Sequence, residues 1–288
     1  MAPGLLRPSA DEALASWRAL VVAHREQIER LREDRREGDF WAPRAQQFRP
    51  GTRESVEIPY LESLGSAREE WLDVGAGGGR FAIPLAQRFA RVVAVEPSPS
   101  MRQALAAAAD ERGVHNIDVV GLAWPPAPDV PLLSADLSLV SHVLYDIDDP
   151  GAFVVALERA TRRRCAVILG DRAPSTAFEP LWTELWGEPL HRLPALREFL
   201  VVLGAMGRRF DVRSFPAGRE EALDAQEAHA GARRLYWVAP GSERDARLGR
   251  LLREHYGTPS GQVTIPARIN HTAVVTWEPP RLPGGARA

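Results

Sequence analysis

From Glu70 onward the chain alternates short apolar runs with helical segments: WLDVG, RFAIPLAQRFA, RVVAVEP, SMRQALAAAADERG and NIDVVG. The runs read as strands and the segments between them as crossover helices, which makes a parallel βαβ series. It continues with ADLSLVSH as a fourth strand, then DPGAFVVALERAT as a helix with Asp149 as N-cap and Pro150 at its first position, then RRCAVILGD as a fifth strand. Parallel strands with helical crossovers need cover on both faces, so the expected class is α/β, a doubly wound, mostly parallel sheet.

The flanks follow other rhythms. Between residues 10 and 37, Trp17, Leu20, Val21, Ile28 and Leu31 recur at helical spacing, and the charged remainder reads as a solvated face. Gly38 and Pro43 punctuate the next stretch, where Trp41, Phe48 and Tyr60 sit among turns. After Asp171, AFEPLWTELWGEP, LPALREFLVVLGAMG, REEALDAQEAHAGARRLYWV and SERDARLGRLLREHY read as helices, RFDVRSFP as a strand and QVTIPARINHTAVVTWEP as a strand pair. The expected organisation is an N-terminal helical lid or arm over residues 1–60, a core over 61–171, a part over 172–280 that completes the sheet and adds a substrate-side helical cap, and a frayed tail over 281–288.

Composition excludes several classes. Of 288 residues, 45% are hydrophobic and 26% charged, as in globular proteins. The 36 basic residues against 38 acidic ones leave a net charge of −2, which argues against a nucleic-acid partner. No lysine occurs, so Schiff-base chemistry and a lysine base are ruled out. One cysteine, Cys165, permits no internal disulfide, and a reducing, cytoplasmic setting is expected. The N-terminal residues lack a signal-peptide pattern and no window approaches 18 uninterrupted apolar residues, so no membrane span is expected.

The strongest local signal is Asp73-Val-Gly75-Ala76-Gly77-Gly-Gly79-Arg80, where the first strand gives way to the first helix. Glycines at every second position let backbone approach a ligand closely, and strand carboxyl ends are where open α/β sheets bind ligands. A dinucleotide fingerprint starting at Gly75 needs glycine where Arg80 stands, and a P-loop needs a lysine. A second signal is Glu96, directly after the apolar run of the second strand and 17 residues beyond Gly79. Its carboxylate offers two acceptor oxygens.

Together these residues resemble the class I S-adenosylmethionine-dependent methyltransferases, whose first motif is an acid followed by Gly-x-Gly-x-Gly. The resemblance covers residues 70–171 and implies a Rossmann-like core, S-adenosyl-L-methionine as cofactor and S-adenosyl-L-homocysteine as product. It implies that Asp73, Gly75, Ala76, Gly77 and Gly79 form the cofactor loop, that Glu96 binds both ribose hydroxyls, and that Pro97, Ser98 and Met101 flank the adenine. Leu122, Ala123 and Trp124 stand at the third motif, where the acidic or polar residue usual in the family is missing; backbone groups and the Trp124 ring are expected to read the adenine instead. Ser141 and His142 leave the fourth strand on the cofactor side.

Methyl transfer chiefly requires alignment of a nucleophile and exclusion of water. For a hydroxyl acceptor, His142 is the best-placed catalytic base, against a purely structural or adenosine-packing role. Trp41, Phe48, Tyr145, Trp182 and Trp186 are candidate substrate contacts; Trp182 and Trp186, four apart on one helical face, either wall an apolar acceptor or pack their helix. Asp146, Asp148 and Asp149 are acidic neighbours, but Asp149 before Pro150 reads as a helix cap, so no metal is expected. The expected acceptor is a small molecule. A non-catalytic S-adenosylmethionine-binding module and a nucleotide-cofactor oxidoreductase remain as alternatives. Monomer and dimer both stay open, because residues 38–60 fit a lid or a dimer arm.

Overall fold

The computed structural model describes residues 7–35, 38–52, 55–131, 133–216, 221–265, 267 and 269–280; the expected tail lies outside them. In chain order the elements begin with α1 (Ala10–Leu31), a 3-10 helix (Ala42–Phe48), α2 (Ile58–Ser63), β1 (Glu70–Val74), α3 (Ala82–Arg88), β2 (Arg91–Val95), α4 (Pro99–Glu111) and β3 (Ile117–Val120). They continue with β4 (Ala135–Ser141), α5 (Pro150–Arg159), β5 (Thr161–Gly170), α6 (Glu179–Trp186), α7 (Leu196–Ala205) and β6 (Phe210–Pro216). Last come β7 (Glu221–Leu223), α8 (Ala225–Leu235), α9 (Glu243–Tyr256), β8 (Val263–Ile265) and β9 (His271–Trp277).

Seven strands form one sheet in the order β3-β2-β1-β4-β5-β9-β6. Strands β1 to β5 pair in parallel, and β9 runs antiparallel to both β5 and β6. Successive side chains of a strand face opposite sides, so the sheet feeds two cores. Leu72, Val74, Val140, Val167 and Val275 pack under α1, α5 and α7, whereas Trp71, Val92, Leu139, Ile168 and Val274 pack under α2, α3 and α4. The order reverses between β1 and β4, so the crevice at their carboxyl ends is the switch point where such sheets take ligands.

Two expectations need correction. The late strands do not pair with each other: β9 is inserted between β5 and β6, while β8 pairs with β7 in a separate two-stranded sheet. Burial explains the split, because Thr272–Trp277 are buried without interruption, as an interior strand must be. The segment REEAL, expected to open a helix, includes β7; α8 starts only after Asp224, whose carboxylate accepts the Gln226 and Glu227 amides.

The structure also divides residues 1–60. Helix α1 belongs to the core: Trp17 and Val21 are buried with Phe153 and Phe199, and Trp17 Nε1 donates to Ile147 O at 2.7 Å. Gln27, also buried, holds the Pro189 carbonyl and the His191 amide. The stretch from Gly38 onward instead lies over the loop that follows β1, with Ala45 and Phe48 against Gly78. A third cluster, around Trp182, Tyr236, Val238 and Leu248, joins α6, α8 and α9. Among the described residues no helix is long and apolar enough to cross a membrane.

Candidate functional site

The loop after β1 is built from backbone that only glycine adopts cheaply. Gly75, Gly77 and Gly79 have φ of +75°, +55° and +87°, all left-handed. Space is a second constraint at two of them. A Cβ on Gly75 would lie 2.3 Å from Val143 Cγ2, and one on Gly79 would lie 2.9 Å from Ile83 Cδ1. At Gly77 the nearest atom is 3.8 Å away, so conformation alone requires glycine there. The loop is tied to the next strand, with the Gly75 amide donating to Val95 O at 2.8 Å.

Two buried carboxylates lie beneath and beside this loop. Glu96 Oε2 accepts the Gly77 amide and Oε1 the Ser98 amide, both at 2.8 Å. Each oxygen keeps a further lone pair. Asp73 is 1% exposed; burial, reinforced by the charge of Glu96, pushes its pKa up to about 7, while the Ala82 amide opposes the shift. Burial likewise raises Glu96, against the Ser98 and Gly77 amides and Arg102. Ser98 caps α4, its Oγ accepting the Met101 amide. Arg102 Nη1 donates to Glu96 O and Pro97 O at 2.9 and 2.7 Å, which fixes the turn behind β2.

The stretch beginning at Gly38 forms a strap over this loop. The 3-10 helix presses so close that a Cβ on Gly78 would come 2.9 Å from the Phe48 carbonyl carbon and 3.1 Å from Ala45 O. Gly78 therefore matters for close approach, although the spacing of the other three glycines drew attention away from it. Ala45 and Phe48 pack with Met101 and Ala104. Asp39, also missed in the sequence, accepts Ser98 Oγ, Ser100 Oγ and the Ser100 amide on one oxygen, and the Trp41 amide on the other. These donors hold its carboxyl far below the usual range. Arg49 pairs with Glu111, Arg112 Nη2 donates to Pro50 O, and Arg80 Nε donates to Ser55 Oγ at 2.8 Å. Phe40, Trp41 and Phe48 form an edge-to-face series, and Phe40 stacks on Trp237 at 5.5 Å.

At the exit of β4, after Ser141, His142 adopts φ of +57°, and Val143 fills the space above Gly75. Tyr145 Oη lies 2.8 Å from His142 Nδ1 and accepts the Gly170 amide at 2.7 Å. Burial raises the Tyr145 pKa further, so the phenol is neutral. Either His142 Nδ1 or Tyr145 Oη can be the donor in their contact, according to the imidazole tautomer. Farther along the edge, Leu122 and Trp124 lean on the α5 side of the core, with Trp124 Nε1 3.4 Å from Phe153 O, and Ala123 is exposed. Burial pushes the Cys165 thiol up to about 12, as expected of an inert core residue.

Residues 72–169 match the family model of the methyltransferase domain. An uncharacterized protein of Haemophilus influenzae is 35% identical over 82 residues, 28% of this chain and 31% of that one; the match thus spans about a third of that relative. Among solved structures, the YcgJ protein of Bacillus subtilis superposes with a TM-score of 0.54 at 14% identity, covering 78% of this chain and 99% of that one. A candidate methyltransferase of Bacillus halodurans gives 0.54 at 15% identity, covering 79% and 100%. Residues 72–169 form a methyltransferase domain, and the chain shares the fold of those solved structures.

The residues of this methyltransferase domain suit its cofactor. Glu96 retains lone pairs for a diol, and Asp73 is a desolvated acid whose charged form a bound cation would favour. The loop backbone is open to close approach at Gly77. Ser98 and Met101 sit on the first turn of α4, next to Glu96. Trp182 and Trp186 lie elsewhere, in the α6, α8 and α9 cluster, with the Trp182 ring stacked on Tyr236 at 5.9 Å.

Proposed function

We propose that the chain transfers the methyl group of S-adenosylmethionine to a small-molecule acceptor. The observation that carries the reading is the pairing of the left-handed glycine loop with buried Glu96, whose oxygens already hold that loop by its Gly77 amide. The cofactor supplies an electrophilic methyl group, so the protein's share is binding, orientation and exclusion of water. Glu96 accepts the ribose hydroxyls, Asp73 places negative charge beneath the loop, and Pro97, Ser98, Met101, Leu122, Ala123 and Trp124 border the adenine side. The strap through Trp41 and Phe48 closes over the loop as a lid, with Asp39 as its latch on Ser98 and Ser100.

In this reading His142, held by its contact with Tyr145, serves as the base for a hydroxyl acceptor. Trp182 and Trp186 serve packing. A net charge of −2 supports a small acceptor over nucleic acid, and the lone buried thiol of Cys165 is compatible with a reducing cytoplasm. Calorimetry with S-adenosylhomocysteine, followed by transfer of labelled methyl from S-adenosylmethionine to a pool of small acceptors, tests the reading. Binding without turnover would leave a non-catalytic binding module; absence of binding would remove the reading altogether.

A further inference from the structure

The carboxyl edge of β5 and the opening of β9 carry a polar feature that cofactor binding does not use. Glu57 stands just ahead of α2, at the end of the strap, and is 3% exposed. Its Oε1 accepts the Thr272 hydroxyl at 2.6 Å, and its Oε2 is buried without a hydrogen-bond partner. Glu57 makes no ion pair with any described residue. A buried carboxyl oxygen left without a donor is costly. Folding alone gives no return for that arrangement, since an apolar side chain would fill the same space better.

Its location ties it to the transfer site. Thr272 pairs with Gly170 across β5 and β9, and Gly170 is the residue whose amide holds Tyr145, which in turn holds His142. Two residues before Glu57, Ser55 is bonded to Arg80 at the end of the cofactor loop. Two more buried polar atoms without partners, Arg172 Nε and Ser175 Oγ, follow β5 at the same edge. Arg172 Nε is a donor and Ser175 Oγ can donate or accept, so of the three only Glu57 Oε2 strictly requires a hydrogen-bond donor.

Resting on the methyltransferase reading above, we propose that Glu57 anchors the methyl acceptor, and that the acceptor is a small molecule carrying a protonated amine whose N–H groups take the open lone pairs of Oε2. A cation is preferred over a hydroxyl because a carboxyl oxygen bonds more strongly to a charged N–H donor than to a neutral one.

The test uses the full chain, wild type and Glu57→Gln, with n-butylammonium chloride as probe and n-butanol and sodium chloride as matched controls, each with and without S-adenosylhomocysteine. Wild type is expected to gain thermal stability with n-butylammonium beyond either control. Glu57→Gln is expected to melt higher than wild type without ligand, to lose at least about tenfold in n-butylammonium affinity, about 1.4 kcal/mol, and to keep its affinity for S-adenosylhomocysteine. An equal response to n-butanol, or an unchanged amine affinity in the variant, overturns the proposal. So does a variant that melts lower while wild type ignores the amine, since Glu57 would then be only a brace for Thr272. If the variant does not fold, the wild-type comparison of amine with alcohol decides. Loss of the amine response with S-adenosylhomocysteine binding intact removes Glu57 alone. An amine response without S-adenosylhomocysteine binding removes the methyltransferase reading instead.

Discussion

The two halves of the crevice are built on different terms. On the cofactor side, formed by the ends of β1 and β2, Glu96 is held by two amides, each glycine sits where another residue would strain or clash, and the strap is latched through Asp39. On the side proposed for the acceptor, at the ends of β4, β5 and β9, His142 has a left-handed backbone, and Glu57, Arg172 and Ser175 carry buried atoms without partners. The first half holds its binding groups in place through its own hydrogen bonds, which is what preorganised binding of one invariant molecule requires. The second keeps strain and unmet hydrogen bonds, which persist where a ligand completes them.

The strongest way to break this contrast is at Gly75. Gly75→Val combines a left-handed backbone with a collision against Val143, so a loss of about 2–5 kcal/mol of stability is expected, together with loss of cofactor binding. Gly77→Ala, with open space around it, should cost only about 1–2 kcal/mol. Denaturant unfolding of both variants checks the order; equal costs would mean that the space above Gly75 relaxes freely.

Next comes Glu96→Ala. Two charge-assisted hydrogen bonds worth about 1.5–3 kcal/mol each predict at least about a tenfold weaker affinity for S-adenosylhomocysteine by calorimetry. A smaller loss would make Glu96 a brace for the Gly77 amide and nothing more.

Acid should separate binding from stability. The folded pKa of Asp73, about 7, lies above its ordinary value of 3.8, so between those values the folded state holds more protons than the unfolded one. Its contribution to stability is therefore greatest at the acid end of that window and falls as pH rises toward 7. A cationic cofactor needs the charged form, so affinity for S-adenosylmethionine should weaken by about tenfold from pH 8 to pH 6 while this group favours the ligand-free fold. Asp73→Asn should flatten both trends, and a flat wild-type profile would show that Asp73 is ionised throughout.

The smallest effects concern the aromatics. Phe48→Ala should speed release of S-adenosylhomocysteine, measured by stopped flow, because Phe48 covers Gly78. Trp182→Phe should lower the melting temperature yet change cofactor affinity by less than about twofold, since its cluster lies apart from the loop. A reversal of these two results would put the acceptor wall back at α6.

The βαβ rhythm, the Asp73 to Gly79 loop and Glu96 were legible in the sequence because each is a local requirement. Period separates strand from helix, and left-handed turns select glycine wherever they occur. The exchange of partners that places β9 between β5 and β6 was not legible, since a run such as HTAVVTW records that it is buried but not which neighbours bury it. Asp39 on Ser100, Phe48 on Gly78, Tyr145 between Gly170 and His142, and Glu57 on Thr272 all join residues distant in sequence or bent together by a turn. No spacing rule announces such contacts. They exist only because packing two apolar faces of one sheet brings the strand ends, and the loops that leave them, to a single edge. The sequence by itself thus determined the class of fold and the chemistry of the cofactor loop, and tertiary packing decided which carboxylates lost their water and which of them were left a lone pair to offer.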